Sequence, residues 1–226
     1  MMLFKLDKNS TLFPDPRLAE EDGLLAIGGD LSVNRLLESY SKGIFPWYSA
    51  DTPILWYAPK TRFVLYPKDL KVSKSMAKLM KSKEFNFTFN KAFSKVISHC
   101  ASIDRKDQDG TWIVDEMQKA YNTLHQQGIA HSIEVWQSNE LVGGLYGVLY
   151  GKIFCGESMF SKVSNASKAA LIYLCKHFDL DLIDCQIHSA HLESMGAKLI
   201  DSENFYNLLN NQEYVRYGLQ KLFRHS

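Results

Sequence analysis

Ser132-Ile133-Glu134-Val135-Trp136, followed after the turn at 137–140 by Leu141-Val142-Gly143-Gly144-Leu145-Tyr146-Gly147-Val148, is the stretch on which the fold class turns. Both runs are short, rich in β-branched and aromatic residues, and bounded by turn formers, so they predict two antiparallel strands. Gly151 marks another turn before a third strand over residues 152–155, which completes a meander. Residues 167–178 then place Ala170, Leu171, Leu174 and Phe178 on one side of a helix, and an apolar strand is expected over 180–187.

Working outward from the meander, helices are expected over 91–101 and 114–127, the second stopped by Gly128, with a last helix over 203–210. From Leu70 to Lys81 the apolar residues Val72, Met76, Leu79 and Met80 share an arc of roughly 100° on a helical wheel, and Lys71, Lys74, Lys78 and Lys81 fall in a roughly opposite arc of about 80°. That pattern predicts an amphipathic helix with a lysine stripe. Before residue 67 the chain changes character: Phe13-Pro14-Asp15-Pro16, Gly28-Gly29-Asp30, Pro53 and Pro59 punctuate it, and one short helix fits over 33–42 before Gly43. The expected architecture is therefore an α+β (mixed α/β) chain. It has a small N-terminal domain over residues 1–67 and an acyltransferase-like domain over 68–226, the latter a mainly antiparallel sheet flanked by helices.

Composition bounds the function without naming it. In 226 residues, 46% hydrophobic and 23% charged side chains match an ordinary folded protein. A net charge of +1 leaves any nucleic-acid contact to a local patch. Lys5, Asp7 and Lys8 interrupt the apolar run a signal peptide would need, no stretch is long and apolar enough for a membrane span, and the cytoplasm is the expected location. Cys100, Cys155, Cys175 and Cys185 are irregularly spaced and read as buried reduced thiols. No GxSxG, GxxxxGK[ST], GxGxxG or HExxH motif occurs, and His188 and His191 lack a second ligand pair, so no metal or cofactor is expected.

Four segments concentrate aromatic and small polar residues: Gly43-Ile44-Phe45-Pro46-Trp47-Tyr48, Gly110-Thr111-Trp112-Ile113, Phe154-Cys155-Gly156-Glu157-Ser158-Met159-Phe160-Ser161 and Leu182-Ile183-Asp184-Cys185-Gln186. With Gly23-Leu24-Leu25-Ala26-Ile27-Gly28-Gly29-Asp30-Leu31, Ala130-His131-Ser132-Ile133-Glu134-Val135-Trp136 and Asn165-Ala166-Ser167-Lys168, they resemble, in order from Phe13 to about Phe205, the bacterial leucyl/phenylalanyl-tRNA protein transferases. The resemblance implies transfer of leucine or phenylalanine from aminoacyl-tRNA to acceptor proteins with N-terminal Arg or Lys, marking them for degradation. The ester supplies the driving force, so neither ATP nor a coenzyme is implied.

The same resemblance implies roles. Asp184 and Gln186 would act as a unit that orients the acceptor amine, Asp184 holding or polarising the Gln186 amide from the same strand face. Glu157 would contact the positive N-terminal residue of the acceptor or the polar end of the tRNA. Trp47 and Trp112 would line the site of the terminal adenosine, and Leu145, Phe154, Leu171, Leu174, Phe178 and Ile183 would wall the amino-acid pocket. Lys74, Lys78 and Lys81 would meet tRNA phosphates. A monomer is the default. Two other readings stand beside it: an acyl-CoA-dependent N-acetyltransferase, which suits the element order but against which stands Ser164-Asn165-Ala166-Ser167-Lys168 where a glycine-rich pyrophosphate turn is expected, and a non-catalytic RNA-binding module, which the lysine stripe and tryptophans would satisfy but which leaves Asp184 and Gln186 without a task.

Overall fold

The computed structural model describes residues 3–103, 113–212 and 219–224. The small sheet is built from β1 (Phe4–Leu6), β2 (Leu24–Gly28), β3 (Phe45–Pro46) and β4 (Leu55–Tyr57) in the order β1-β2-β4-β3. Between β2 and β3 lies α1 (Val33–Ser41), whose first turn is capped by the Ser32 side chain accepting from Arg35 N–H. Gly43 ends it at φ +71°, where a Cβ would also stand 2.8 Å from the Phe205 ring.

The larger sheet begins with β5 (Thr61–Leu65) and continues, after α2 (Lys74–Lys81), with β6 (Asn86–Phe89). Then come α3 (Phe93–Ser102), α4 (Asp115–Gln126) and the meander β7 (Ala130–Gln137), β8 (Glu140–Tyr150) and β9 (Ile153–Ser161). The chain closes with α5 (Ala166–His177), β10 (Leu182–Gln186), α6 (Ala190–Ser194), β11 (Lys198–Asp201) and α7 (Ser202–Asn210). Sheet order is β11-β5-β10-β9-β8-β7-β6, and every described pairing is antiparallel except β9 with β10. That exception follows from α5, which crosses over the sheet and returns the chain in the same direction. The mainly antiparallel sheet flanked by helices is as expected, but the third meander strand runs on to Ser161, and β5, from within the first 67 residues, pairs in the larger sheet.

Both faces of this sheet are covered. One apolar cluster gathers α1, α3 and α4 with Tyr146, Val148 and Phe160 and with the small sheet's Leu25 and Trp56. The other packs α5 through Ala169, Ala170, Leu171 and Leu174 against Ile133, Leu145, Phe154 and Ile183. Gly143 makes the second contact possible, because a Cβ there would lie 2.4 Å from that of Ala166 at the start of α5. Among the described residues no helix is long and apolar enough to cross a membrane, and no group of three or more His, Cys, Asp or Glu side chains is placed to hold a metal ion.

Candidate active site

The parallel ladder between β9 and β10 runs from Leu182 opposite Ile153 to Asp184 opposite Cys155. Past its end the two strands part, and a cavity of about 420 Å³ opens between them. Its walls include Gly156, Glu157, Ser158 and Met159 from β9, Cys185 and Gln186 from the end of β10, and Ile187 just beyond it. A volume of this size suits a small-molecule ligand.

Glu157 lies at the polar end and is only 7% exposed. Tyr40 of α1 donates to its Oε1 at 2.8 Å, Tyr121 of α4 to its Oε2 at 3.1 Å, and the Gln186 amide Nε2 to its Oε1 at 2.9 Å. The two tyrosine hydroxyls also touch each other. Burial pushes the Glu157 carboxyl up to about 7, because desolvation of the charged form outweighs the three hydrogen bonds that favour it. The group therefore stands near its midpoint at neutral pH.

Asp184 is fully buried, and Arg62 of β5 grips it through two parallel hydrogen bonds, Nε to Oδ1 at 2.8 Å and Nη2 to Oδ2 at 2.7 Å. Burial alone would lower the Arg62 pKa, but the adjacent Asp184 carboxylate more than reverses this and holds it above the ordinary value. Asp184 Oδ1 also accepts the backbone N–H of Gln186 at 2.9 Å. The expected contact between Asp184 and the Gln186 side-chain amide is therefore corrected: the ladder against β5 slips between these two residues, Gln186 takes φ +63°, and its amide turns to Glu157. Alternation along a regular strand would have kept both side chains on one face.

Trp47, packed edge-on against Tyr57 at 5.6 Å between ring centroids, lines the cavity beside Phe45 and Pro46. Trp112 lies outside the described residues. Of the six expected apolar walls, Leu145, Phe154, Leu171, Leu174 and Ile183 line the cavity. Phe178 does not: it ends α5 facing Phe89, Tyr173 and Phe223, away from the cavity lining. Lys74, Lys78 and Lys81 are exposed on α2, whose buried side is anchored by Met76. The segment leading into α2 is tied to the cavity's α6 side by Lys71 N–H donating to Met195 O at 2.8 Å.

Sequence reasoning assigned no site role to Arg62, Tyr40, Tyr121, Met159, His188, His191 or Leu192, although it quoted Met159 in a signature segment and weighed the two histidines only as metal ligands; all are now at the site or its walls. A signal existed for the tyrosines. Tyr40 follows Leu36 and Leu37, and Tyr121 sits between Met117 and Leu124, on helix faces that must be buried, where a phenol needs a polar partner.

Comparison with known proteins bears on this arrangement. The family model described as leucyl/phenylalanyl-tRNA protein transferase matches residues 64–210, and that described as the N-terminal domain of the same proteins matches residues 29–60. The leucyl/phenylalanyl-tRNA--protein transferase of Syntrophus aciditrophicus is 54% identical over 201 residues, covering 88% of this chain and 84% of the relative. The proteins of that name from Hydrogenovibrio crunogenus and Flavobacterium johnsoniae are 51% and 53% identical, covering 93% and 88% of this chain and 84% and 96% of their own lengths. The chain belongs to the leucyl/phenylalanyl-tRNA protein transferase family.

Proposed function

We propose that this enzyme transfers a leucyl or phenylalanyl group from its tRNA to the N-terminal amine of an acceptor protein. The observation that carries this reading is that a single cavity joins Trp47, the Glu157–Gln186 pair and an apolar wall of Leu145, Phe154, Leu171, Leu174 and Ile183. Those three features suit the three parts of the reacting pair. The donor's side chain enters the apolar wall, its terminal adenosine stacks at Trp47 with Trp112 as the second platform, and the acceptor amine meets Glu157 and Gln186. The exposed Lys74, Lys78 and Lys81 would take the phosphates of the acceptor stem.

The acceptor α-amine has an ordinary pKa of about 7.7 to 8.0, and Glu157 has been raised to about 7, so the ammonium can pass a proton to Glu157 at little cost. Gln186 cannot titrate, but its Oε1 can accept an N–H of the freed amine and aim the nitrogen lone pair at the ester carbonyl. The C–N bond forms, the bond from the carbonyl carbon to the ribose oxygen breaks, and the ribose oxygen takes up the proton that the attacking amine gives up. No coenzyme enters this balance. The family resemblance is the basis for proposing N-terminal Arg or Lys, and the ionised form of Glu157 would favour the approach of such a cationic terminus. The reading includes a monomer working in the cytoplasm beside the tRNA pool, its products marked for degradation.

Incubating the enzyme with tRNA charged with labelled leucine or phenylalanine and peptides beginning with Arg, Lys or Ala tests this directly. Label should move to the Arg and Lys peptides, with Gln186→Ala lowering kcat. No transfer to any peptide would remove the proposal, and equal transfer to Ala would remove the acceptor preference.

A further inference from the structure

Gln186 holds a backbone conformation that a residue with a Cβ does not favour. Its φ is +63°, and around it Ile187 N–H donates to Cys185 O at 2.7 Å. This is the positive-φ form of the γ-turn, rare and strained, and it persists only where neighbouring groups over-determine it. The group that does so is Asp184, whose Oδ1 accepts the Gln186 backbone N–H at 2.9 Å. Asp184 is itself fixed by the Arg62 fork at 2.8 and 2.7 Å. Arg62, 2% exposed, is fixed in turn: its guanidinium lies 4.8 Å from the ring centroid of Phe45 and 4.6 Å from that of Phe205.

We infer that Arg62 is a positioning residue for the transfer proposed above: acting through Asp184 it holds the Gln186 turn, and the turn aims the Gln186 amide. Asp184 is then the link between a guanidinium and a peptide group, with its oxygens already committed to Arg62 and to the Gln186 backbone. It does not polarise the Gln186 side chain, which is bonded to Glu157. The arrangement needs arginine in particular. Lysine offers a point charge, without the planar fork that grips both carboxylate oxygens or the flat face that lies between two rings. Phe45 precedes Pro46 and Trp47 in the cavity wall, so the same guanidinium also joins the adenosine side of the site to the acceptor side.

The test uses the full chain as wild type, Arg62→Lys, Asp184→Asn, the double variant, and Phe205→Leu, which removes one ring from Arg62 without touching the cavity. For each, kcat and KM are measured with aminoacyl-tRNA and an Arg-terminated peptide, together with the stoichiometry and Kd for a non-hydrolysable aminoacyl-adenosine. Arg62→Lys should bind the analogue at full stoichiometry while kcat falls about 10- to 100-fold, the loss expected from misplacing a group by about 1 Å. The double variant should be no more than about twofold worse than the worse single variant, because the two residues act as a unit. Phe205→Leu should show a smaller fall in kcat with KM unchanged. Wild-type kcat in Arg62→Lys, or losses that multiply in the double variant, would overturn the inference. So would a fall in kcat matched by an equal fall in binding stoichiometry, which would mark Arg62 as needed for folding alone. Should Arg62→Lys fail to fold, Phe205→Leu decides, with wild-type kcat counting against the inference and reduced kcat at full stoichiometry counting for it. A wild type that transfers nothing would instead overturn the reaction on which the inference rests.

Discussion

Glu157 links folding to pH in a way that can be measured without any substrate. In the folded chain its carboxyl keeps a proton up to about pH 7, chiefly because burial penalises the charge, whereas its ordinary value is 4.5. A carboxyl raised on folding contributes stability that is fully present below about pH 4.5 and is lost as the pH climbs through about 7. The difference corresponds to about 3 kcal/mol. Glu157→Gln cannot titrate, yet its carbonyl oxygen can accept from one of the two tyrosines while its NH2 donates to the other hydroxyl. Urea unfolding of both proteins should therefore show wild type losing stability relative to Glu157→Gln by up to about 3 kcal/mol between pH 4.5 and pH 8. A difference that stays flat across that range would mean that the three donors around Glu157 fully replace its lost hydration, and that it is an ordinary carboxylate. The same titration matters to catalysis, since the ionised form is the one that can take a proton from the acceptor ammonium.

Helix α2 shows how an element can be legible while its task is not. Its spacing gave Met76 inward and Lys74, Lys78 and Lys81 outward, as the structure has them. If those lysines meet tRNA phosphates, changing all three to Ala should raise KM for aminoacyl-tRNA and reduce the slope of log KM against log salt by roughly two to three. An unchanged slope would return the stripe to an ordinary solvated face. The other helices were readable for the same reason, as with Ala170, Leu171 and Leu174 of α5, which repeat at the period that packing demands. The short edge strand β11 was not readable, because its residues Lys198 to Asp201 are largely exposed and nothing in them alternates. In the site, residue membership came largely from the family resemblance and geometry did not. Asp184 and Gln186 are two apart on a strand, which predicts a shared face, and neither Gly nor Asn announces the positive φ at Gln186 that breaks it. Arg62 and Asp184 lie 122 residues apart, Tyr40 and Glu157 117, and no local period reports pairs formed at that separation.

The small sheet shares one of the two apolar clusters with the larger sheet, and one cooperative unit is the expected consequence despite their different sequence character. Leu25 and Ala26 of β2, Phe45 of β3 and Trp56 of β4 belong to the same apolar cluster as Val64 of β5 and Tyr146 and Val148 of β8. Arg62 strengthens the join by lying between Phe45 and Phe205 while holding Asp184. A cut after Pro67 would also remove β5 from its place between β10 and β11, leaving both without their antiparallel partner. Unfolding residues 1–67 first, β5 included, would thus expose the apolar face beneath the site and withdraw Arg62, leaving Asp184 as an uncompensated buried charge, a change that typically costs about 3 to 5 kcal/mol by itself. One transition is expected. Two single-tryptophan variants report on it, one keeping Trp56, whose Nε1 donates to Gly28 O at 2.9 Å in the small sheet, and one keeping Trp136, whose Nε1 donates to Thr88 Oγ1 at 2.8 Å in the larger. In each variant the urea midpoint by fluorescence should coincide with that by far-UV circular dichroism, and a fragment of residues 68–226 should show no cooperative transition at all. A Trp56 midpoint at lower urea than the circular dichroism midpoint, or a stably folded 68–226 fragment, would mean that the N-terminal region is an independent domain and that the Phe45–Arg62–Phe205 contact does not bind the two halves into one.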